Sequence, residues 1–190
     1  MNYMYLLSSR VFALFVILGL TLGMAPAASA DRSALEDDVH AAIKLLLEKS
    51  PAAKELAKTA KGALVFPNVV KAGFLVGVKY GDGALVRASK IGGYYIVDYY
   101  NISALSAGMH AGVQSFGYVM ALMTDAAVEN VQTSEGWELG MGPTIVVLDA
   151  GMAKTFSTET AKSDVYAFTF GQKGLMAGMS IKGTKITKLD

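Results

Sequence analysis

Residues 62–86 read GALVFPNVVKAGFLVGVKYGDGALV. Runs of β-branched and aromatic residues alternate here with glycine, which predicts strands at Ala63–Phe66, Gly73–Tyr80 and Ala84–Ser89. Gly81-Asp82-Gly83 is the predicted hairpin turn between the last two. Glycine inside a strand marks a bulge, a sharp bend or a close approach of two backbones. Of the 20 glycines, 17 lie between residues 73 and 183, and GFLVGV at 73–78 has an echo in GLMAGM at 174–179. Repetition of this kind predicts a strongly coiled sheet, open or closed as a barrel.

Working outward, further strands are expected at Tyr94–Asn101, Ser106–Met123, Trp137–Leu148, Val165–Phe170 and, with a break, Leu175–Lys188. Lys90-Ile91-Gly92-Gly93 is a second predicted turn. Turn signals every eight to twelve residues or so favour an antiparallel sheet over alternating β-α units. Before the sheet, Ser33 and Glu36 fit a capping box, and Leu35, Val39, Ile43 and Leu46 recur on one helical face. Ser50-Pro51 starts a second helix that is expected to run towards Lys61 and stop at Gly62. A short third helix fits Thr124–Thr133, capped by Thr124 or Asp125. The expected fold class is α+β: a curved antiparallel sheet, two N-terminal helices and one further short helix.

The chain has 190 residues, 53% hydrophobic and 17% charged, which suits one folded domain. Arg10, the uncharged run from Val11, Pro26 and the small-residue end Ala28-Ser29-Ala30 read together as a secretory signal, with cleavage expected after Ala30. An uncleaved membrane anchor is the competing reading. This places one domain at 31–190 in an exported, periplasmic or envelope-associated protein. There is no cysteine, which excludes disulfides, thiolate metal sites and an acylated-cysteine anchor. Net charge is close to zero, which argues against bulk nucleic-acid binding. The distribution is uneven: nine Lys or Arg face three acids between 44 and 90, and eight acids face two lysines between 91 and 170. A local basic patch for an anionic partner fits that asymmetry.

Catalytic material is sparse. The histidines are His40 and His110, and neither a metalloprotease motif nor a nucleophile elbow is present. Asp98, Asp125 and Asp149 are scattered. FGQKGLMAG at 170–178 lacks the strand–loop–helix order of a phosphate loop, so its glycines read as tight sheet packing, with Lys173 a peripheral headgroup contact. No catalytic residues, metal or cofactor are expected. Lys54, Lys58 and Lys61 form a stripe on the second helix, with Lys71 and Lys79 in the strands that follow. Such a stripe is a solvated face or a contact for anionic headgroups. In YYIVDYY, 94–100, alternation sends Tyr94, Ile96, Asp98 and Tyr100 one way and Tyr95, Val97 and Tyr99 the other. Half-exposed tyrosines suit either an ordinary surface or a water–membrane boundary.

The blocks GALVFPNVVKAGFLVGVKYGDGALV, GGYY, MTD, GWELGMGPTIVVLDAG and VYAFTFGQKGLMAGMSIKGTKITKL, in this order from about Lys61 to Leu189, resemble the bacterial branch of the SYLF lipid-binding domain family. That family includes a yeast actin-regulating relative. The resemblance implies an α+β domain on a curved antiparallel sheet, with lipid binding as the shared activity. It supplies no catalytic set. The expected function is therefore non-enzymatic binding of anionic phospholipid or a membrane surface. The residues expected to carry it are Lys54, Lys58, Lys61, Lys71, Lys79, Tyr95, Tyr99 and Lys173. A structural or protein-interaction module of the cell envelope is the alternative. An enzyme with an unrecognised site and a membrane-spanning barrel are weaker ones.

Overall fold

The computed structural model describes residues 27–74, 76–89, 92–107, 112–134, 136–138, 144–148, 163–174 and 183–190. Residues 1–26 of the expected export signal at 1–30, His110, Asp149 and most of the polar segment 154–164 lie outside these residues, as does 175–178 of FGQKGLMAG. By contacts the chain separates into Met1–Ala34 and Leu35–Asp190. Of the first unit, the described part is helical from Ala27; the rest of this section concerns the second.

Helix α1 spans Ala27–Lys49 and helix α2 spans Pro51–Leu56. Ser33 is inside α1 rather than at its cap, because the helix continues upstream of it. Ser50 caps α2 as expected, its hydroxyl accepting from the Ala53 N–H at 3.2 Å. That helix ends at Leu56 and not near Lys61, and Gly62 opens the first strand instead of closing a helix.

Eight strands follow: β1 Gly62–Phe74, β2 Val76–Ala88, β3 Tyr94–Ala107, β4 Gly112–Leu122, β5 Trp137–Glu138, β6 Ile145–Leu148, β7 Val165–Gly174 and β8 Thr184–Lys188. Helix α3, Asp125–Thr133, sits between β4 and β5, and Thr124 caps it by accepting from the Ala127 N–H at 3.1 Å. The sheet order is β5-β8-β3-β2-β1-β4-β7-β6. It curls strongly into a half-barrel, so the barrel is open. All pairs are antiparallel except β6 with β7, which makes the sheet mixed. A parallel pair needs a long connection, and the stretch from 149 to 164 is long enough to provide one.

Two hydrophobic cores lie on opposite faces of this sheet. Leu64, Phe66, Leu85, Tyr100, Met120, Val165 and Ala167 pack with Val128 and Val131 of α3 on the inner face. Val65, Ala84, Val86, Val119, Tyr166 and Phe168 pack on the outer face with Val39, Leu46 and Leu56 of the N-terminal helices. The period of two along each strand thus feeds two cores at once, which is why the strands read as near-continuous apolar runs.

The predicted Gly81-Asp82-Gly83 turn is not a turn. These residues lie inside β2 and pair with Ile102, Asn101 and Tyr100 of β3. The predicted short strands are parts of two long ones, and the chain reverses between Phe74 and Val76. The glycines serve a bulge instead. The registers of β1 against both neighbours slip around Pro67-Asn68, where Phe66 faces Tyr118 and Val69 faces Phe116. Opposite this extra residue stand Gly81, Gly83 and Gly117. A Cβ on Gly81 would come within 2.8 Å of the Asn68 carbonyl oxygen. On Gly83 it would collide with the Val65 carbonyl oxygen and the Phe66 ring, and on Gly117 with the Phe170 ring. The turn between β2 and β3 does fall where expected, with Gly92 and Gly93 at φ of 97° and 75°.

Gly83→Ala drives a methyl group into the Val65 carbonyl oxygen of the backbone, whereas Gly117→Ala meets the outer end of the Phe170 side chain. Urea denaturation is expected to show a loss of about 3 kcal/mol for Gly83→Ala and about 1 kcal/mol for Gly117→Ala, as overpacking of this kind does. Equal, small losses would mean that the backbone at the bulge is not closely packed.

Candidate functional site

The bulge sets which side chains of the β1–β2 hairpin face inwards. Beyond it, Val69, Lys71 and Gly73 share the inner face with Leu64 and Phe66, while Val70, Ala72 and Phe74 point outwards. In β2, Lys79 is inward and Val76, Val78 and Tyr80 are outward. The usual arrangement is inverted: Lys71 and Lys79 are each 8% exposed, whereas Phe74 is 78% and Val78 50% exposed.

The outward residues form one patch. Val113, Ala72, Val78 and Leu105 are successive cross-strand neighbours over β4, β1, β2 and β3. Phe74 and Val76 pair in the row towards the hairpin end, and Val70 and Tyr80 in the row towards the helices. Leu105 and Val113 are 75% and 61% exposed. Charge borders the patch within its own face. The Val70–Tyr80 row runs through Ser115 to Lys173 on one side, and through Ser103 to Lys185 and Glu138 on the other. Lys173 and Lys185 are both exposed. Asp82 is also on this face, engaged by Asn101, which donates to it at 2.8 Å, and by the Tyr80 hydroxyl.

The other expected contacts are dispersed. Lys54, Lys58 and Lys61 are exposed at the α2 end, and Lys58 pairs with Glu55 at 2.6 Å. Lys71 and Lys79 are inside the curl, not on the surface. The tyrosine cluster departs from simple alternation, because β3 carries a bulge between the residues facing Leu85 and Val86. Tyr94, Ile96 and Tyr99 therefore share the helix-covered face, and Tyr100 joins the inner core. Their polar tips hold α1. The Tyr94 hydroxyl lies 2.7 Å from His40 Nδ1 with the two rings stacked, and the Tyr99 hydroxyl donates to Glu36. Tyr95 remains exposed, on the opposite face. Behind the helices is an apolar hollow of about 170 Å³ lined by Ile43, Leu47, Val86, Tyr94 and Phe168. Among the described residues no group of three His, Asp or Glu is placed to hold a metal ion.

The apolar patch was legible only in part. Val70, Ala72 and Phe74 alternate with Lys71 and Gly73, and Val76, Val78 and Tyr80 alternate with Gly77 and Lys79. That pattern announces a strand with two unlike faces but assigns the apolar one to the interior. The signal for the reversal is Pro67-Asn68 between the two halves of β1, a poor pair for an unbroken strand.

Burial and the positive charge of Lys71 lower the Lys79 pKa to about 8. Between that value and the ordinary 10.5 the unfolded chain holds the proton that the folded chain has shed, so stability rises with pH there. Relative to Lys79→Met, the unsubstituted protein is expected to gain about 1.4 kcal/mol per pH unit from pH ~8 to ~10, read from denaturant midpoints in phosphate-free buffer. Parallel pH profiles would show that Lys79 is not desolvated.

Comparison with known proteins bears on the same strands. The family model Ysc84, described as Las17-binding protein actin regulator, matches residues 103–190. The SH3 domain-containing YSC84-like protein 1 of Homo sapiens is 30% identical over 127 residues, 66% of this chain. Its counterparts in Pongo abelii and Bos taurus are 29% and 28% identical over the same share. The chain spans 36% of the length of each of these relatives. The matched stretch takes in the end of β3 and all of β4 to β8, with Leu105, Val113, Lys173 and Lys185 among its residues, and over residues 103–190 the chain is similar to the Ysc84, or SYLF, domain family.

Proposed function

We propose that this is an exported, non-enzymatic protein that docks on anionic lipid surfaces through the outward face of the β1–β2 hairpin and its neighbours. The observation that supports this reading is the contiguous patch of Phe74, Val76, Val78, Leu105 and Val113, bordered by Lys173 and Lys185. An apolar area of this kind is unfavourable in water and marks an interaction surface. Full burial of one such side chain contributes about 1.5–3 kcal/mol, and one lysine near an anionic surface about 1 kcal/mol. The apolar term therefore dominates binding, and the two lysines bias it towards anionic lipid. Tyr80 belongs at the boundary, with its ring on the patch and its hydroxyl near Asp82.

A second reading is favoured by the description of the matching family model, which names a protein ligand and actin regulation. In that reading the same face takes a protein.

Vesicle co-sedimentation separates the two. The unsubstituted protein is expected to bind vesicles of phosphatidylglycerol with phosphatidylcholine, and Phe74→Ser with Leu105→Ser to weaken binding by at least about a hundredfold. Reversing Lys173 and Lys185 to Glu is expected to remove the preference for anionic vesicles, whereas the same change at Lys54, Lys58 and Lys61 costs less. Undiminished binding by the Phe74/Leu105 variant overturns the docking face. Absence of vesicle binding with a stoichiometric protein complex that this variant loses would favour the protein-partner reading.

A further inference from the structure

The space between the N-terminal helices and the sheet is not closed. Ile43 and Leu47 of α1, Ala57 at the end of α2, and Val86, Ala121 and Phe168 of the sheet bound the apolar hollow of about 170 Å³. Folded interiors pack to the density of organic crystals, and an unfilled apolar space forfeits the dispersion contacts that its walls would otherwise make. The hollow persists because the residues that meet across it are small. Ala53 and Ala57 approach from the helical side, and Gly62, Ala63 and Ala121 from the sheet. A leucine or methionine at one of these positions would fill much of the space.

At Ile43, Leu47 and Tyr94 the hollow adjoins a polar mouth that also includes His40, Lys44, Glu48 and Lys54. These four are exposed. Tyr94 belongs to both regions: its ring stacks on His40, and its hydroxyl lies 2.7 Å from His40 Nδ1. The two lysines come from different helices, Lys44 from α1 and Lys54 from α2. Neither takes part in an ion pair among the described residues. Against Glu48, and with His40 neutral, they leave the mouth with one net positive charge.

Size, polarity and charge define what fits. An apolar cavity of about 150 Å³ stays free of water and admits a molecule the size of benzene. The hollow therefore accommodates one aromatic ring or a short alkyl chain, and it cannot enclose a whole membrane-lipid chain. One net positive charge matches one carboxylate, whereas a phosphate dianion would be left half compensated. At an exposed rim the carboxylate also stays in water, which avoids the cost of burying it. We propose that this hollow and its mouth bind a small amphiphilic monocarboxylate, with the ring or alkyl chain inside and the carboxylate beside Lys44 and Lys54. The site uses none of the residues of the hairpin patch, so the two readings succeed or fail separately.

Methyl-resolved NMR of the protein at neutral pH, titrated with hexanoate and with benzoate, reads the site. Saturable shifts of the Ile43, Leu47 and Val86 methyl resonances are expected. Lys44→Met and Lys54→Met, both at exposed positions, are each expected to weaken hexanoate binding about two- to fivefold and to leave hexanol binding unchanged. Ala57→Leu from the helical side and Ala121→Met from the sheet side are each expected to fill the hollow and to weaken binding of hexanoate and hexanol at least about tenfold. Should Ala121→Met fail to fold, Ala57→Leu, at an exposed helix end, gives the same readout. The Phe74→Ser/Leu105→Ser variant is expected to bind hexanoate as before. No saturable shift with either carboxylate in the unsubstituted protein overturns the proposal, and so does undiminished binding by Ala57→Leu. Lysine variants that bind hexanoate as tightly as the unsubstituted protein, or that lose hexanol equally, overturn the carboxylate as the recognised group.

Discussion

The extra residue at Pro67-Asn68 is the constraint on which the rest of this structure depends. Side chains alternate strictly along a strand, so one inserted position exchanges the two faces of everything beyond it. Before the bulge, β1 contributes Leu64 and Phe66 to the inner core. After it, the residues that an unbroken strand would send inwards, Val70, Ala72 and Phe74, emerge into solvent. Gly81, Gly83 and Gly117 make this possible, because a methyl group on any of them would meet the backbone or ring it faces. The same local event bends the sheet, creates an apolar exterior and carries two lysines into the interior.

The two halves of the sheet thereby differ in what sustains them. Near the helices, both faces are covered and the burial of Phe66, Leu85, Tyr100 and Met120 is complete. Near the hairpin, the outer face has no cover among the described residues and the inner face is polar. The covered core belongs to the first half, and the exposed apolar face and the buried lysines to the second. Tyr94 and Tyr99 belong to the first despite their polar tips, which are occupied with His40 and Glu36.

Much of this was legible in the sequence. The α+β class, the Ser50 and Thr124 caps and the Gly92-Gly93 turn follow from local chemistry that nothing distant overrides. The close packing of glycines was also foreseen, but its location was not. Gly81-Asp82-Gly83 has the composition of a tight turn, and pairing with β3 on one side and the bulged β1 on the other overrides that preference. The same kind of error affected YYIVDYY, where a second bulge breaks the expected alternation. A bulge has no period of its own, so a reading based on periodicity passes through it unaware. For the candidate site the effect was larger than for the fold. Lys71 and Lys79 were singled out by charge, and the apolar residues beside them were not. Lys173 was expected as a peripheral headgroup contact and lies exposed on β7, but its counterpart Lys185 lies on β8, which only the sheet order brings alongside.

Among the described residues the outermost strands of this sheet are short. β5 has two residues and β6 has four. Runaway fibre growth proceeds by one chain's rim templating the next, and rims this brief offer little to template. The sticky area is on a broad face instead. Two molecules that met there around a twofold axis would hide each other's grease and leave nothing for a third. Such a pairing would be finite, whereas growth from strand edge to strand edge would not be.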